Sequence, residues 1–527
     1  MSNTLNRKIR IKRDAEEDRK SQKQIDKWIS FILILVIILV PLIIGGHITE
    51  VVSPLISNMD QLVSGQKIDI FTYYKLMVLI PLTLLAIGMF LYKLFFLDYR
   101  LPKRPILWFF AVFLLAIIIA TMFSETKTIA LYGQYNRSDG GISYICYVLL
   151  MFVAMHITYP KRIVEYVLYA FYPLVIINFI LITMNFTGHD ALKYDLINNA
   201  LSIFAPGIEF GEESNLLGTL NHGNYISGMF SVITAMYISW IVIDTNNFRK
   251  LLNFIIVLLS VSTMLMATSS SGFLTLICMT PFILWLVMKS VNKKMALISI
   301  VVFCTFTAGI LHVFSLHNSK VWDESVGFFI SNNPYIDEPQ VTYDNQKWNS
   351  QLFLESKAYA ADSTFVLPTL PEPGVGPGSG RIFIWEKTIK LTLERPLFGY
   401  GLDTLMYNFP QGHIDLRANL ETGSVIIDKP HNVYIGVLYG TGFIGFIGFI
   451  GIVIFSIIKS LIVIIQYRAN TGIIVTLSIA WLAYLFQSLF NDTLPGTAAP
   501  LWIVAGILMG VLYKQEDFRD ISDNTNK

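Results

Sequence analysis

Hydrophobic positions along the chain fall into twelve long runs separated by polar connections, at about residues 28–46, 73–92, 105–123, 142–158, 163–184, 222–243, 251–267, 272–288, 295–312, 432–457, 472–490 and 498–513. A helix needs about 20 apolar residues to cross roughly 30 Å of hydrocarbon, and in lipid its backbone must satisfy its own hydrogen bonds, so each run predicts a membrane helix. The seventh and eighth runs are parted only by the turn Thr268-Ser269-Ser270-Ser271. The expected fold is an all-α integral membrane protein of about twelve transmembrane helices, with one long external loop between helices nine and ten. Its parts are a basic N-terminal segment (1–27), helices one to nine (28–312), the loop (313–431), helices ten to twelve (432–513) and a tail (514–527).

Composition agrees with this pattern. The 527 residues are 54% hydrophobic and 14% charged, with a mean hydropathy of +0.56. Ordinary globular chains carry about 25% charged residues, so a soluble multi-domain enzyme is excluded. Cys146, Cys278 and Cys304 all sit inside apolar runs, where they behave as small hydrophobes rather than as a disulfide framework or a zinc site. The net charge of +2 hides a division between the two sides. With the N-terminus inside, one side holds 25 basic and 12 acidic residues and the other 14 basic and 25 acidic. Positively charged connections stay on the cytoplasmic side, which predicts a multi-pass protein of the cytoplasmic membrane with both termini cytoplasmic. Residues 1–27 are too long and too mixed in charge for a signal-peptide start, and an uncleaved anchor is the better reading.

The 313–431 loop is the chief polar feature, and loops of that length are usually functional. Its proline- and glycine-rich stretch Leu367–Gly380 should resist regular structure. The following residues, Arg381 to Arg395, place Ile382, Trp385, Ile389 and Leu393 on a helical period, which predicts an amphipathic helix near the membrane surface. Helix ten carries Gly442, Gly445, Gly448 and Gly451, a bare face suited to close packing against a neighbouring helix.

The chemistry on offer is narrow. The sequence has no phosphate-loop motif, no aspartates separated by one residue, and eight scattered histidines, so no nucleotide, metal or other cofactor is expected. The acidic external side has four arginines: Arg137, Arg381, Arg395 and Arg417. A guanidinium presents a planar fork of donors to phosphate oxygens and stays charged. Arg137 lies in a polar turn before helix four, and Arg381 opens the amphipathic helix, where its charge opposes the helix dipole. Both are candidate anion ligands, more so than Arg395 and Arg417. His431 stands in Lys429-Pro430-His431-Asn432 at the outer start of helix ten, where an imidazole can take a proton from a hydroxyl.

His431-Asn432, nine residues and then Gly442-Phe443-Ile444-Gly445 resemble the H-N-x9-G-x-x-G pattern of the O-antigen ligase and O-antigen polymerase superfamily. Gly380-Arg381 with Trp385, Pro396-Leu397-Phe398-Gly399-Tyr400-Gly401-Leu402, and Gly218 to Tyr225 are similar to further stretches of that family. The resemblance implies transfer of a glycan from a polyprenyl-diphosphate carrier to an acceptor hydroxyl on the outer face of the membrane. Arg381 would hold the diphosphate and His431 would assist the acceptor. Where family members often show Ser-Arg-Gly at the outer end of helix seven, this chain reads Ser270-Ser271-Gly272, which turns attention to Arg137 as the replacement. Asn432, Asn221, His222 and Asn224 are candidate hydrogen-bonding partners of the sugars, and Tyr135, Trp385 and Tyr400 candidate stacking platforms. The expected partners are the lipid-linked donor, a lipid, protein or polysaccharide acceptor, and membrane lipid, with no nucleic acid. The long loop and the H-N-x9-G-x-x-G pattern favour a ligase of cell-surface polysaccharide over a polymerase of carrier-linked repeats. A glycolipid flippase or other transporter is the reading from another class, and it would need ionisable groups at mid-membrane.

Overall fold

A computed structural model describes residues 15–51, 65–160, 162–203, 216–330, 332–336, 374, 376, 379–413, 415–420, 426–467 and 472–525. The twelve apolar runs form twelve helices: α1 (Ala15–Leu42), α2 (Tyr73–Phe96), α3 (Ile106–Phe123), α4 (Gly141–His156), α5 (Ile163–Phe186), α6 (Gly223–Ile243), α7 (Asn247–Met266), α8 (Ser270–Lys289), α9 (Lys293–His317), α10 (Val433–Ile465), α11 (Gly472–Gln487) and α12 (Pro495–Thr525). Among the described residues ten are long and apolar enough to cross a membrane, and α4 and α11 are shorter apolar helices. The chain is thus an all-α polytopic membrane protein. Its strands, among the described residues, are those of a small antiparallel hairpin, β1 (His47–Val51) and β2 (Gly65–Asp69), which leads into α2. Asp69 accepts the backbone N–H groups of Phe71, Thr72 and Tyr73 and so satisfies the open start of that helix.

Burial divides the helices. Nearly every side chain of α6 is buried, whereas only Ala296 and Ser315 are buried on α9, which forms the rim. Small residues let the central helices approach: a side chain on Gly228 of α6 would strike Gln487, and one on Gly272 of α8 would strike Ser227. Polar groups in this interior are paired between helices, with Thr234 donating to Ser260 at 2.9 Å and the Trp481 indole donating to Ser456 at 2.8 Å. Lys75, inside the second run, is fully buried because its ammonium donates to Pro41 and Ile43 carbonyls at the end of α1.

The glycines of α10 serve two purposes. Gly445, Gly448 and Gly451 press against Ala116, Phe113 and Phe109 of α3, the expected close packing. Gly442 instead adopts φ +64° and breaks the helix. The freed backbone is recaptured by the Pro396–Gly401 segment: Phe443 N–H donates to Pro396, while Tyr400 and Gly401 N–H donate to Tyr439 and Gly440. Gly399 and Gly401 have positive φ, and a Cβ on Gly399 would lie 2.2 Å from the Tyr439 carbonyl. The Pro-Leu-Phe-Gly-Tyr-Gly-Leu stretch is therefore a strap fitted to the kink in α10.

The residues after the proline-rich stretch form the surface helix Arg381–Glu394. Phe383, Ile384, Thr388 and Thr392 face the protein, while Ile382, Ile389 and Leu393 remain unburied by it. This second, exposed apolar stripe is the one the sequence periodicity picks out. At the opposite end of the bundle, the start of α1 is fastened to the end of α2 by a buried ion pair, Lys93 to Asp26 at 2.6 Å. Asp26 also accepts the Thr158 N–H, and Lys93 lies 4.0 Å from the centre of the Tyr99 ring. Removing one partner strands the other charge in a dry site, a loss of about 3–5 kcal/mol. K93M should accordingly lower the thermal midpoint of the detergent-solubilised protein, and D26N/K93M should recover much of the loss; equal midpoints for wild type and K93M would show the pair to be dispensable.

Candidate functional site

Five connections meet at the end of the bundle where α2, α4, α6, α8 and α10 begin. The loop before α4 turns sharply, with Gly133, Asn136 and Ser138 all at positive φ. It is held by Gln134, whose backbone and side-chain amides both donate to Asp403, and by a hydrogen bond between Ser138 and Thr72 at the start of α2. The turn projects Arg137 inward, where it donates to Asp428 at 2.6 Å and to the Tyr225 hydroxyl of α6 at 2.7 Å. Burial alone would lower the pKa of this guanidinium, but Tyr225, Asp428 and Asp492 outweigh burial and hold it well above the ordinary value.

The segment 428–432 enters α10 across the same surface. The Lys429 ammonium is buried between Asp139 at 3.2 Å and Asp403 at 3.4 Å. Burial pushes the Asp139 carboxyl up to about 7 against the pull of Lys429 and Thr493. Beneath this cluster a cavity of about 30 Å³, lined by Asp139, Asp403, Lys429 and Thr493, has room for about one water. Pro430 donates no hydrogen bond, but its carbonyl accepts the Trp385 indole N–H at 2.7 Å, which ties the surface helix to the next residue, His431. His431 has φ +50°, an uncommon conformation for a residue with a Cβ. Asn432 then caps α10, accepting the Ile435 N–H and donating to the Leu489 carbonyl.

The loop between α11 and α12 closes the site. Asp492 is buried and lies 2.7 Å from His431 Nδ1. Burial alone would raise its carboxyl pKa, but His431, Lys429 and Arg137 prevail and hold it at about 2. The carboxylate accepts the Nδ1 proton, which fixes the ring and leaves Nε2 as a hydrogen-bond acceptor on a side chain that remains one-third exposed. That arrangement suits proton removal from a hydroxyl. Neighbouring residues anchor the loop: Asn491 donates to the Asn224 carbonyl and Ser271, and Thr493 donates to Asp139.

Arg381 follows Gly380, whose φ of +80° turns the chain into the surface helix. Its guanidinium is half-buried and, among the described residues, has no hydrogen-bond or ion-pair partner. It lies in the fields of Asp492 and of Glu324, whose carboxylate accepts the Ser270 N–H at the start of α8. Burial lowers its pKa against both charges. Arg395, by contrast, is spent on Glu125, and the Arg417 side chain lies outside the described residues. Among the described residues no three His, Cys, Asp or Glu side chains converge as a metal site.

The sequence candidates thus separate by what their polar atoms already do. Arg137, Arg381, His431 and His222 share electrostatic neighbours: Arg137 and Arg381 both act on Asp492, and Arg137 and His431 both act on His222. Asn221 donates to the Asn136 carbonyl and Asn432 is taken up in capping, so both side chains hold loops, whereas at Asn224 it is the backbone carbonyl that Asn491 engages. Tyr400 is buried, stacked on Tyr439 with ring centres 5.2 Å apart, and donates to Glu394, which gives it a structural place in the strap. Tyr135 is 40% exposed and free to stack. Trp385 positions the chain before His431. Sequence reasoning missed Asp492, Asp428, Lys429 and Tyr225. Asp492 had a visible signal, since it is the only charged residue between Arg468 and Lys514.

No curated protein matches the chain. Residues 254–450 match the model of the family described as O-Antigen ligase, a segment that runs from α7 through the surface helix and His431 to the glycine face of α10. That match, on a polytopic helical scaffold, implies membrane glycan processing of the O-antigen ligase or polymerase type. Residues 254–450 are thus similar to the O-antigen ligase family, which supports the O-antigen ligase superfamily for this chain.

Proposed function

We propose that the protein transfers a glycan from a polyprenyl-diphosphate carrier to an acceptor hydroxyl at the outer face of the cytoplasmic membrane, and that it acts as a ligase of cell-surface polysaccharide. The observation that carries this reading is that Asp492 both orients His431 and lies within the field of Arg381, a cation with no hydrogen-bond or ion-pair partner among the described residues, at one end of a membrane bundle. His431 Nε2 accepts the proton of the acceptor hydroxyl as its oxygen attacks the anomeric carbon. The bond from that carbon to the carrier breaks, and its electron pair leaves with the diphosphate. Arg381 binds the diphosphate, and Arg137, already neutralised by Asp428, shapes the site. The carrier's free energy drives the reaction. Lys289, Lys293 and Lys294 lie between α8 and α9 at the other end of the helices from this site, and positive connections stay on the cytoplasmic side, which supports an outward-facing site.

Ligase is preferred to polymerase because the surface helix Arg381–Glu394 carries Trp385 onto the Pro430 carbonyl beside His431 and adds a surface suited to a bulky acceptor. Loss of the gene should leave full-length carrier-bound chains that never reach their acceptor; single repeat units on the surface would instead mark a polymerase.

Two substitution series test the chemistry in reconstituted membranes supplied with lipid-diphosphate glycan and acceptor. H431A should lower the transfer rate by about 10² or more while the protein inserts normally, and D492N should lower it by about 10- to 100-fold by releasing the ring; near-normal turnover of H431A would remove the imidazole from the reaction. R381K keeps the charge but loses the two-pronged donor, and should be markedly impaired. A fully active lysine variant would move diphosphate recognition elsewhere.

A further inference from the structure

We infer that His222 is a hydrogen-bond donor to the diphosphate, its Nε2–H meeting a phosphate oxygen between Arg137 and the His431 ring. This inference rests on the transfer reading above and assigns a second, opposite role to a second imidazole of the same site.

His222 caps α6, and its Nδ1 accepts the Asn224 N–H at 3.3 Å. A ring nitrogen that accepts carries no proton, so the proton of the neutral ring is on Nε2. In a neutral His431 ring the order is reversed: the Asp492 carboxylate can only accept from Nδ1, which leaves Nε2 as the acceptor. The backbone thus presets one imidazole as a donor, and a carboxylate presets the other as an acceptor.

Position follows from the neighbours of His222. Asn221 donates to the carbonyl of Asn136, the residue before Arg137. The Asn224 carbonyl accepts from Asn491, the residue before Asp492. The turn bearing His222 is therefore clamped between the arginine loop and the carboxylate loop, and Asn221 accepts φ +79° to make it. Desolvation of the ring and the positive charge of Arg137 lower the His222 pKa, which favours the neutral ring with its single donor. Sugar hydroxyls both give and accept hydrogen bonds, whereas phosphate oxygens only accept. A donor-only group beside a guanidinium matches the phosphate.

In the transfer step His222 moves no proton. The bond from the anomeric carbon to the phosphate oxygen breaks with its electron pair going to that oxygen, the new bond forms to the acceptor oxygen, and the acceptor proton passes to His431. The Nε2–H of His222 strengthens its hydrogen bond as negative charge gathers on the departing oxygen.

Binding of farnesyl diphosphate and of farnesol to the full-length protein in nanodiscs tests this without knowledge of the acceptor. Wild type should prefer the diphosphate. H222A and H222N should lose about tenfold in affinity for farnesyl diphosphate and little for farnesol, while H222Q, which keeps a donor amide near the Nε2 position, should stay within about threefold of wild type. Thermal melting of each variant shows which are folded, and the Asn and Gln pair decides if the alanine protein is not. Wild-type affinity in H222N, or a loss in H222Q equal to that in H222N, overturns the role of His222 and leaves the transfer reading standing. A wild type that binds farnesyl diphosphate no better than farnesol overturns both.

Discussion

A charge buried at the end of a membrane bundle must be matched, and this requirement organises the site. Asp492, Asp139 and Asp403 are all buried, and each is met by a cation or an imidazole carried on a different connection. The pairs are not ornaments on a finished fold. Arg137 to Asp428, Lys429 to Asp139 and Asp403, and His431 to Asp492 are what hold the loop before α4, the entry to α10 and the loop after α11 against one another. Leaving any member alone in that environment costs several kcal/mol, so the connections are fixed together or not at all. The same closure explains where strain collects. Asn136, Ser138, Asn221, Asp403 and His431 all have positive φ and all lie in this cluster, a cost of about 1–3 kcal/mol each that the surrounding pairs sustain.

The matching also sorts the arginines. Arg137 is met by Asp428 and Tyr225, and Lys429 is shared by two carboxylates, so each is already paired within the protein. Arg381 sits on the surface helix, where the start of the helix repels it and, among the described residues, no anion touches it. A ligand phosphate would complete at Arg381 the kind of pairing that the protein supplies to its other cations. The electrostatic logic that builds the site therefore also accounts for Arg381 being a candidate to receive an anion, since among the described residues it has no hydrogen-bond or ion-pair partner.

The twelve helices were legible because spanning a bilayer is a one-dimensional demand: length and apolarity suffice, and the runs fell on α1 to α12 in order. The surface helix was legible from its period, although the stripe that reveals it, Ile382, Ile389 and Leu393, is the face left unburied by protein. His431 and Arg381 could be singled out because each is chemically conspicuous where it stands. Their partners could not, since Asp492 is 61 residues from His431 and Asp428 is 291 from Arg137, and pairing across such separations is set by how helices pack rather than by any local pattern. Asn432 and Tyr400 show the converse. Both belong to conspicuous motifs, yet capping α10 and filling the strap against its kink account for their polar atoms.

The kink itself joins these levels. If α10 ran straight through Gly442, its backbone would be fully occupied and the strap would have nothing to bind. The break lets Tyr400 and Gly401 pair with Tyr439 and Gly440, and the strap then continues directly into Asp403, which anchors both Gln134 and Lys429. The same strap begins at the end of the surface helix that carries Arg381 and Trp385, and Trp385 reaches back to Pro430. One glycine with a left-handed backbone thus permits a closed circuit, from α10 through the strap to the arginine loop and through the surface helix to His431. The separation between the imidazole and Arg381 is governed by that circuit, so a bulky residue at Gly442 would disturb the site from within the helix without touching any polar group in it.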